Sequence, residues 1–210
     1  MVDVMSDYRE IGPIIRLQIQ RQSLKRPLEP REGDARSPEQ YYDPDPILAG
    51  DNLWVTDSVA AVERDGEVIL DVHCASHPRS RNRGNGNMLS IGFTSHYDKM
   101  RAEFGDHLVN GIAGENILVE TDEQFEVGDF AGGLLIRTCD GEELRFDEVI
   151  VATPCVEFSR FCLNNRYADP RITSTALRFL DNGTRGFYAF IAAGLPITLR
   201  TGDRLFVRTP

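Results

Sequence analysis

Residues 149–158 read VIVATPCVEF, an apolar run that meets Pro154 and then shows a single thiol at Cys155. The run up to the proline has the character of a buried strand, which proline cannot continue. Just beyond it, Phe158, Phe161 and Cys162 space as one apolar helical face, so Cys155 is predicted at a strand-to-helix junction. At a helix N-terminus the exposed N–H groups and the dipole favour thiolate, whereas the nearby Glu157 carboxylate opposes a second negative charge. The competing reading of Cys155 is a small buried hydrophobe.

Working back along the chain, GLLIRTC and ELRFDEVIVAT are strands joined by Asp140-Gly141, and NILVE and FEV precede them as further strands. SHYDKMRAEFG opens with Ser95 three residues before Asp98, a capping-box-like start. Its residues Tyr97, Met100 and Phe104 share one face, and Gly105 can end the helix. SVAAVERDGEVILDV carries Asp65-Gly66 between apolar runs, the signal for a tight hairpin. In IIRLQIQ strict alternation places Ile15, Leu17 and Ile19 on one face and Arg16, Gln18 and Gln20 on the other. Between them, residues 24–46 hold five prolines, many charges and little apolar material, which predicts a surface loop.

Working forward, Asp169-Pro170 offers an N-cap and a first-turn proline for a helix carrying Ile172, Ala176, Phe179 and Leu180, stopped at Asn182-Gly183. GFYAFIAAGLPITLRTGDRLFVR reads as two more strands with glycine turns between them. Gly50-Asp51, Gly128-Asp129 and Gly202-Asp203 read as turns. Many strands in consecutive hairpins with few helices make the fold class mainly β with a few helices (α+β). The sheet is expected to be barrel-like, in one domain over residues 1–210.

Thirty-three acidic residues against 23 basic ones give a formal net charge of −10, which argues against non-specific binding to nucleic acid or an anionic membrane. No apolar run has the length of a transmembrane helix, and the acidic start MVDVMSDYRE lacks the features of a signal peptide. The sequence-level expectation is a cytoplasmic protein. Cys74, Cys139, Cys155 and Cys162 form no C-x-x-C pair, so in a reducing compartment they are thiols. Cys74, Cys139 and Cys162 keep the reading of small buried residues.

Any anion must then be met by a local cluster. HPRSRNRGNGN places His77, Arg79, Arg81 and Arg83 together without one acidic residue and runs into Gly84 and Gly86. Arginine forks match phosphate or carboxylate oxygens, and glycines let backbone N–H groups approach closely. The plainer reading of this stretch is a solvated loop. GIAGENI, residues 111–117, brackets a turn with Gly111 and Gly114 and sets Glu115-Asn116 at the mouth of a strand, and GTRGFY places Arg185 between two glycines.

Taken in order, the His/Arg-Gly segment, the HY helix, G-x-x-G-E-N-I, the V-G-D turn, the hairpin ending in P-C, R-G-x-Y and a last G-D before the final strand resemble the MOSC domain. This is the molybdenum cofactor sulfurase C-terminal family. The resemblance covers residues 70–208 well and the N-terminal part loosely, through ILAGD at residues 47–51. It implies a pyruvate-kinase-type β-barrel and a single cysteine, Cys155 by motif, that either ligates molybdenum in a pterin cofactor or carries sulfur as a persulfide. A soft, accessible thiolate suits both roles. His77, Arg79, Arg81, Asn116 and Arg185 are the candidates for holding the molybdenum cofactor.

The implied activity is that of a small oxidoreductase acting on N-hydroxylated or related compounds, with a small-molecule substrate. The alternative is a sulfur carrier that forms a persulfide on Cys155 and delivers it to a partner. Pyridoxal phosphate binding enters as a family-level association only. The chain carries no haem or iron–sulfur signature, so the partner implied is a separate electron-donor or sulfur-transfer protein.

Overall fold

The computed structural model describes residues 7–28, 40–80 and 88–209. In chain order its strands are β1 (Tyr8–Gln20), β2 (Lys25–Pro27), β3 (Gln40–Tyr42), β4 (Ile47–Gly50), β5 (Asn52–Val55), β6 (Ala60–Arg64), β7 (Glu67–Leu70) and β8 (Met88–Phe93). Helix α1 (Thr94–Phe104) is followed by β9 (Ile117–Val119), β10 (Leu134–Arg137) and β11 (Glu143–Val151). Helices α2 (Val156–Cys162) and α3 (Pro170–Leu180) then lead to β12 (Phe187–Ala193), β13 (Ile197–Arg200) and β14 (Arg204–Arg208).

The chain is mainly β with a few helices, and its largest sheet is a closed barrel. Strands β1, β14, β10, β11, β12, β8 and β9 pair in that order, and β9 pairs back onto β1, so no edge is left in the ring. Every neighbouring pair in the ring is antiparallel except β8 and β9, which run parallel with Ile91 opposite Ile117. A parallel pair needs a crossover, and α1 with the segment behind it supplies one. Strand β4 continues the sheet beyond β1, and β13, β5, β6 and β7 form a second, four-stranded sheet. The barrel interior is filled by Leu17, Ile19, Ile91, Phe93, Ile117 and Leu205, among others. Phe93 packs against Phe125 and Phe187 with ring centroids 4.8 and 6.1 Å apart.

A second apolar cluster lies under the helices, built from Tyr97, Met100, Leu108, Phe158, Cys162 and Leu180. Leu24 and Tyr42 are buried in it, and the Tyr42 hydroxyl donates to the Ile112 carbonyl across 2.6 Å. The ends of the proline-rich stretch are therefore not surface loop: β2 and β3 pair, and their flanks are pinned to the helical layer. Residues 29–39 of that stretch lie outside the described residues.

Several local expectations change in the same way. A register shift between Ile14 and Arg16 against β9 turns Ile14 inward and leaves Ile15 exposed, against the strict alternation read from IIRLQIQ. Helix α1 begins at Thr94 with no side-chain cap, and Ser95 instead donates to the Glu123 carbonyl. FEV is not a strand, because residues Val127–Phe130 coil into a 3-10 turn closed by a capping box between Glu126 and Asp129. The final segment holds three strands, β12 to β14. On α3, Thr173, Ala176 and Leu180 face inward and Ile172 is exposed. Cys139 is exposed in the turn after β10 and is no core residue.

Candidate functional site

Between the barrel and the four-stranded sheet is a cavity of about 360 Å³. Polar side chains converge on it from distant segments: Asp71 and His73 after β7, Glu115 and Asn116 at the entry to β9, and Arg185 and Tyr188 at the entry to β12. The buried thiol of Cys74 also reaches its wall.

Asn116 and Asp71 hold these segments together. The Asn116 side-chain oxygen accepts from the Ser90 backbone N–H at 3.1 Å and from the Ser90 hydroxyl at 2.9 Å. Its Nδ2 donates to the Gln18 carbonyl at 3.2 Å and to Asp71 Oδ2 at 3.1 Å. An amide has two acceptor positions and two donor hydrogens, and here the scaffold uses all four. Asn116 therefore lines the cavity, but its side chain has no donor to spare. Asp71 is equally committed: Oδ2 also accepts from the Gln20 N–H at 2.9 Å, while Oδ1 accepts from the His73 N–H at 2.8 Å and faces His73 Nδ1 at 3.0 Å. Four partners allow a carboxylate to be buried at 3% exposure.

Glu115 and Arg185 are different, because each keeps an unused polar atom. Glu115 is only 5% exposed, yet Oε1 has no partner, while Oε2 accepts from the Tyr97 hydroxyl at 2.9 Å. The Tyr97 oxygen in turn accepts from the Ala113 N–H at 2.9 Å. Burial pushes the Glu115 carboxyl above its usual range, outweighing the bond from Tyr97 and the charge of Arg185. Arg185 donates through Nη2 to the Ala113 carbonyl at 3.1 Å and lies over the Phe158 ring at 5.6 Å, but its buried Nε is unpartnered. A buried polar atom without a partner costs about 1–3 kcal/mol, so two of them beside one cavity are what a site for a polar ligand presents. An unused acceptor and an unused cationic donor on two cavity-lining residues fit a ligand that carries both N–H groups and oxygens.

Cys155 is the residue immediately before α2, at the predicted strand-to-helix junction, and is half-buried against the helical cluster. Its thiol is within hydrogen-bonding reach of Lys25 and Glu157, which pair with each other at 3.0 Å. Burial opposes ionisation of Glu157, but the hydrogen bond from Lys25 prevails and holds its carboxyl below the usual range. Arg185 is close enough for its charge and that of Cys155 to interact. Arg185 lines the cavity, whereas Cys155 is not part of its wall.

No family model matches the chain, and no curated protein matches it. Among solved structures it is similar to the crystal structure of the YuaD protein from Bacillus subtilis, with a TM-score of 0.57 and 14% identity over 97% of this chain and 99% of that chain. At that identity the likeness speaks for the fold alone.

The remaining candidates divide. His77 and Arg79 are not among the residues lining the cavity: Arg79 is exposed, and its backbone N–H donates to His77 Nδ1 at 3.1 Å. Arg81 lies outside the described residues. The same loop contributes Asp71, His73 and Cys74 to the wall instead. Of these, Asp71 carried a legible signal, since a carboxylate between Leu70 and Val72 in an apolar run has to find partners if the run is buried. Among the described residues no three His, Cys, Asp or Glu side chains gather as a metal-binding group; ligation of a metal by Cys155 alone does not call for one.

Proposed function

We propose that the chain is a MOSC-type protein that binds the molybdenum cofactor and acts as a small oxidoreductase on N-hydroxylated or related compounds, with Cys155 as the metal ligand. The observation that carries this reading is the pair of orphaned buried atoms, Glu115 Oε1 and Arg185 Nε, on two residues that line one cavity. Arg185 would hold anionic or carbonyl oxygen, Glu115 would accept or share a ligand N–H, and Cys155 would supply a soft thiolate. The cofactor, when bound, supplies two-electron oxygen-atom chemistry that no side chain of this protein can perform. Asn116 and Asp71 keep the wall rigid and take no part in contact with the ligand.

The test is metal and pterin analysis of protein from a cofactor-competent host. Stoichiometric molybdenum and pterin in the wild type, lost in Cys155→Ser, supports the reading; a metal-free wild type, or equal molybdenum in both, overturns it.

A second reading is favoured by one observation: the Cys155 thiol meets the Lys25–Glu157 pair and not the cavity. A half-buried thiol that lies outside the cavity can be presented to a partner protein, as a sulfur carrier requires. That reading expects an extra sulfur on Cys155 by intact mass, removed by reductant, without pterin.

A further inference from the structure

The protein is acidic, with a formal net charge of −10, yet one stretch of it is not. Residues 160–178 carry Arg160, Arg166, Arg171 and Arg178 against a single acid, Asp169. That carboxylate is spent on capping α3, where Oδ1 accepts from the Arg171 N–H at 2.8 Å. Many surface cations elsewhere are met by the protein's own carboxylates: Arg9 by Glu123 at 2.6 Å, Arg145 by Glu143 at 2.7 Å, Arg200 by Asp140 at 2.8 Å and Arg204 by Glu10 at 2.7 Å. Arg166, Arg171 and Arg178 are exposed and make no ion pair among the described residues.

We infer that the outer face of α3 is a docking surface for an acidic partner protein, one that presents carboxylates around an apolar contact. Positions 171, 175 and 178 lie on one side of the helix: the Thr175 hydroxyl donates to the Arg171 carbonyl at 3.2 Å and accepts from Arg178 Nη2 at 3.4 Å. Beside them Ile172 is 55% exposed. Phe179, two turns further on, is half-buried, and the exposed Lys99 of α1 lies over its ring at 5.7 Å, adding a fourth cation to the border. In the loop before α3, Arg166 is held over the Tyr41 ring at 4.1 Å, a contact that fixes the guanidinium and leaves its N–H donors for another group. An exposed apolar residue among arginines whose forks match carboxylates has the make-up of a protein interface.

Charge also selects the kind of partner. Nucleic acid and anionic membrane spread their charge over a wide area and would meet the carboxylates of the remaining surface, whereas the acidic patch of a folded partner can be confined to this face. Position gives the face its use. Helix α3 packs on α2, Cys155 is the residue that opens α2, and Cys155 and Phe179 lie against the same apolar cluster. A partner bound on α3 thus shares a helical layer with the thiol, as an electron donor or a sulfur acceptor would. That use rests on the proposed function; the docking surface itself does not.

The experiment is titration of the ¹⁵N-labelled full-length protein with a helical peptide that carries glutamates around one leucine, followed by ¹H–¹⁵N NMR. Shifts are expected at the amides of Arg171, Ile172, Thr175 and Arg178, with an affinity that falls as salt is raised. Arg171→Glu combined with Arg178→Glu is expected to weaken binding about tenfold. Arg171→Gln combined with Arg178→Gln is expected to weaken it by a smaller factor, and keeps the test decisive if charge reversal disturbs α3.

Absence of shifts, shifts that map away from α3, or equal affinity in the wild type and both double variants overturns the docking surface. Tighter binding of a DNA duplex or of phosphatidylglycerol vesicles than of the peptide overturns the choice of a protein partner. Peptide binding on α3 in a protein whose Cys155 takes up neither molybdenum nor sulfane sulfur supports the docking surface and overturns the functional reading.

Discussion

Asn116 Nδ2 donates to Asp71 Oδ2 across 3.1 Å, tying the entry of β9 to the loop after β7 although 45 residues separate them in the chain. This bond and its three companions place one cavity wall, and they are what most of the site depends on. Asn116→Ala is therefore expected to strip partners from Asp71, Gln18 and Ser90 at once and to destabilise the protein by about 3 kcal/mol, read from urea unfolding. Asn116→Asp is expected to be as harmful, since a second carboxylate would face Asp71.

His96 is expected to make stability depend on pH in the acid range. Its Nδ1 faces the Gly183 carbonyl at 2.9 Å and its Nε2 accepts from the Phe125 N–H at 3.0 Å, so the ring is held neutral. Burial, with a contribution from the charge of Lys99, lowers its pKa to about 4, while the Gly183 carbonyl pulls the other way. Below the unfolded value of about 6.5 the unfolded chain takes up a proton that the native state refuses, so stability falls as pH drops from 6.5 towards 4. The loss amounts to about 3 kcal/mol. His96→Gln, followed by thermal unfolding across this range, is expected to flatten the slope.

Glu115 acts with the opposite sign. Its folded pKa is raised by burial, so the native state keeps a proton that the unfolded chain releases, and stability falls as pH rises above the ordinary carboxylate range. Glu115→Gln keeps the hydrogen bond from Tyr97 without the ionisation. Its stability relative to wild type is expected to improve as pH rises from 4 to 7; a pH-independent difference between the two would show that Glu115 is not titrating differently on folding.

The four thiols are expected to separate by accessibility. Cys162 is fully buried and burial pushes its thiol to about 12, and Cys74 is buried as well. Iodoacetamide on the native protein at pH 8, followed by peptide mass analysis, should label Cys155 and Cys139 and spare Cys74 and Cys162 until denaturant is added. Labelling of Cys162 in native buffer would contradict the packing of α2.

Lys25 offers a check on the surroundings of Cys155. Removing its ammonium in Lys25→Met takes away the main influence that holds Glu157 below its usual range, so the carboxyl of Glu157 is expected to titrate at higher pH in ¹³C-detected NMR. An unchanged Glu157 titration would mean that the ion pair does not persist in solution.

At several turns and caps a local backbone demand decided the outcome and the residues announced it. Asp65 and Gly66 both adopt positive φ at the β6–β7 turn, and Asp169 caps α3 through the Arg171 N–H with Pro170 at the first turn. The junction at Pro154-Cys155 was legible for the same reason, since a proline and a change of hydrophobic period are visible within a few residues. Ile15 and Ile172 were misplaced because a bulge and a helix rotation are settled by the neighbours they pack on, and the amino acids themselves do not carry that information. In the basic loop, charge made His77 and Arg79 conspicuous, while the chain path carried Asp71 and His73 into the cavity wall.

The order of amino acids on its own determined most of the barrel strands, the hairpins at Asp65-Gly66 and Asp140-Gly141, the cap of α3 and the position of Cys155 before a helix, because each follows from steric and hydrogen-bonding limits within a few neighbouring residues. Only the tertiary structure decided that β9 pairs back onto β1 to close the ring, that Asn116 is spent on the scaffold, and that Glu115 and Arg185 each retain a free atom beside a cavity. Those outcomes depend on which hydrogen-bonding groups meet across tens of residues once the barrel has closed, and satisfaction of a buried group is a property of the assembled surroundings.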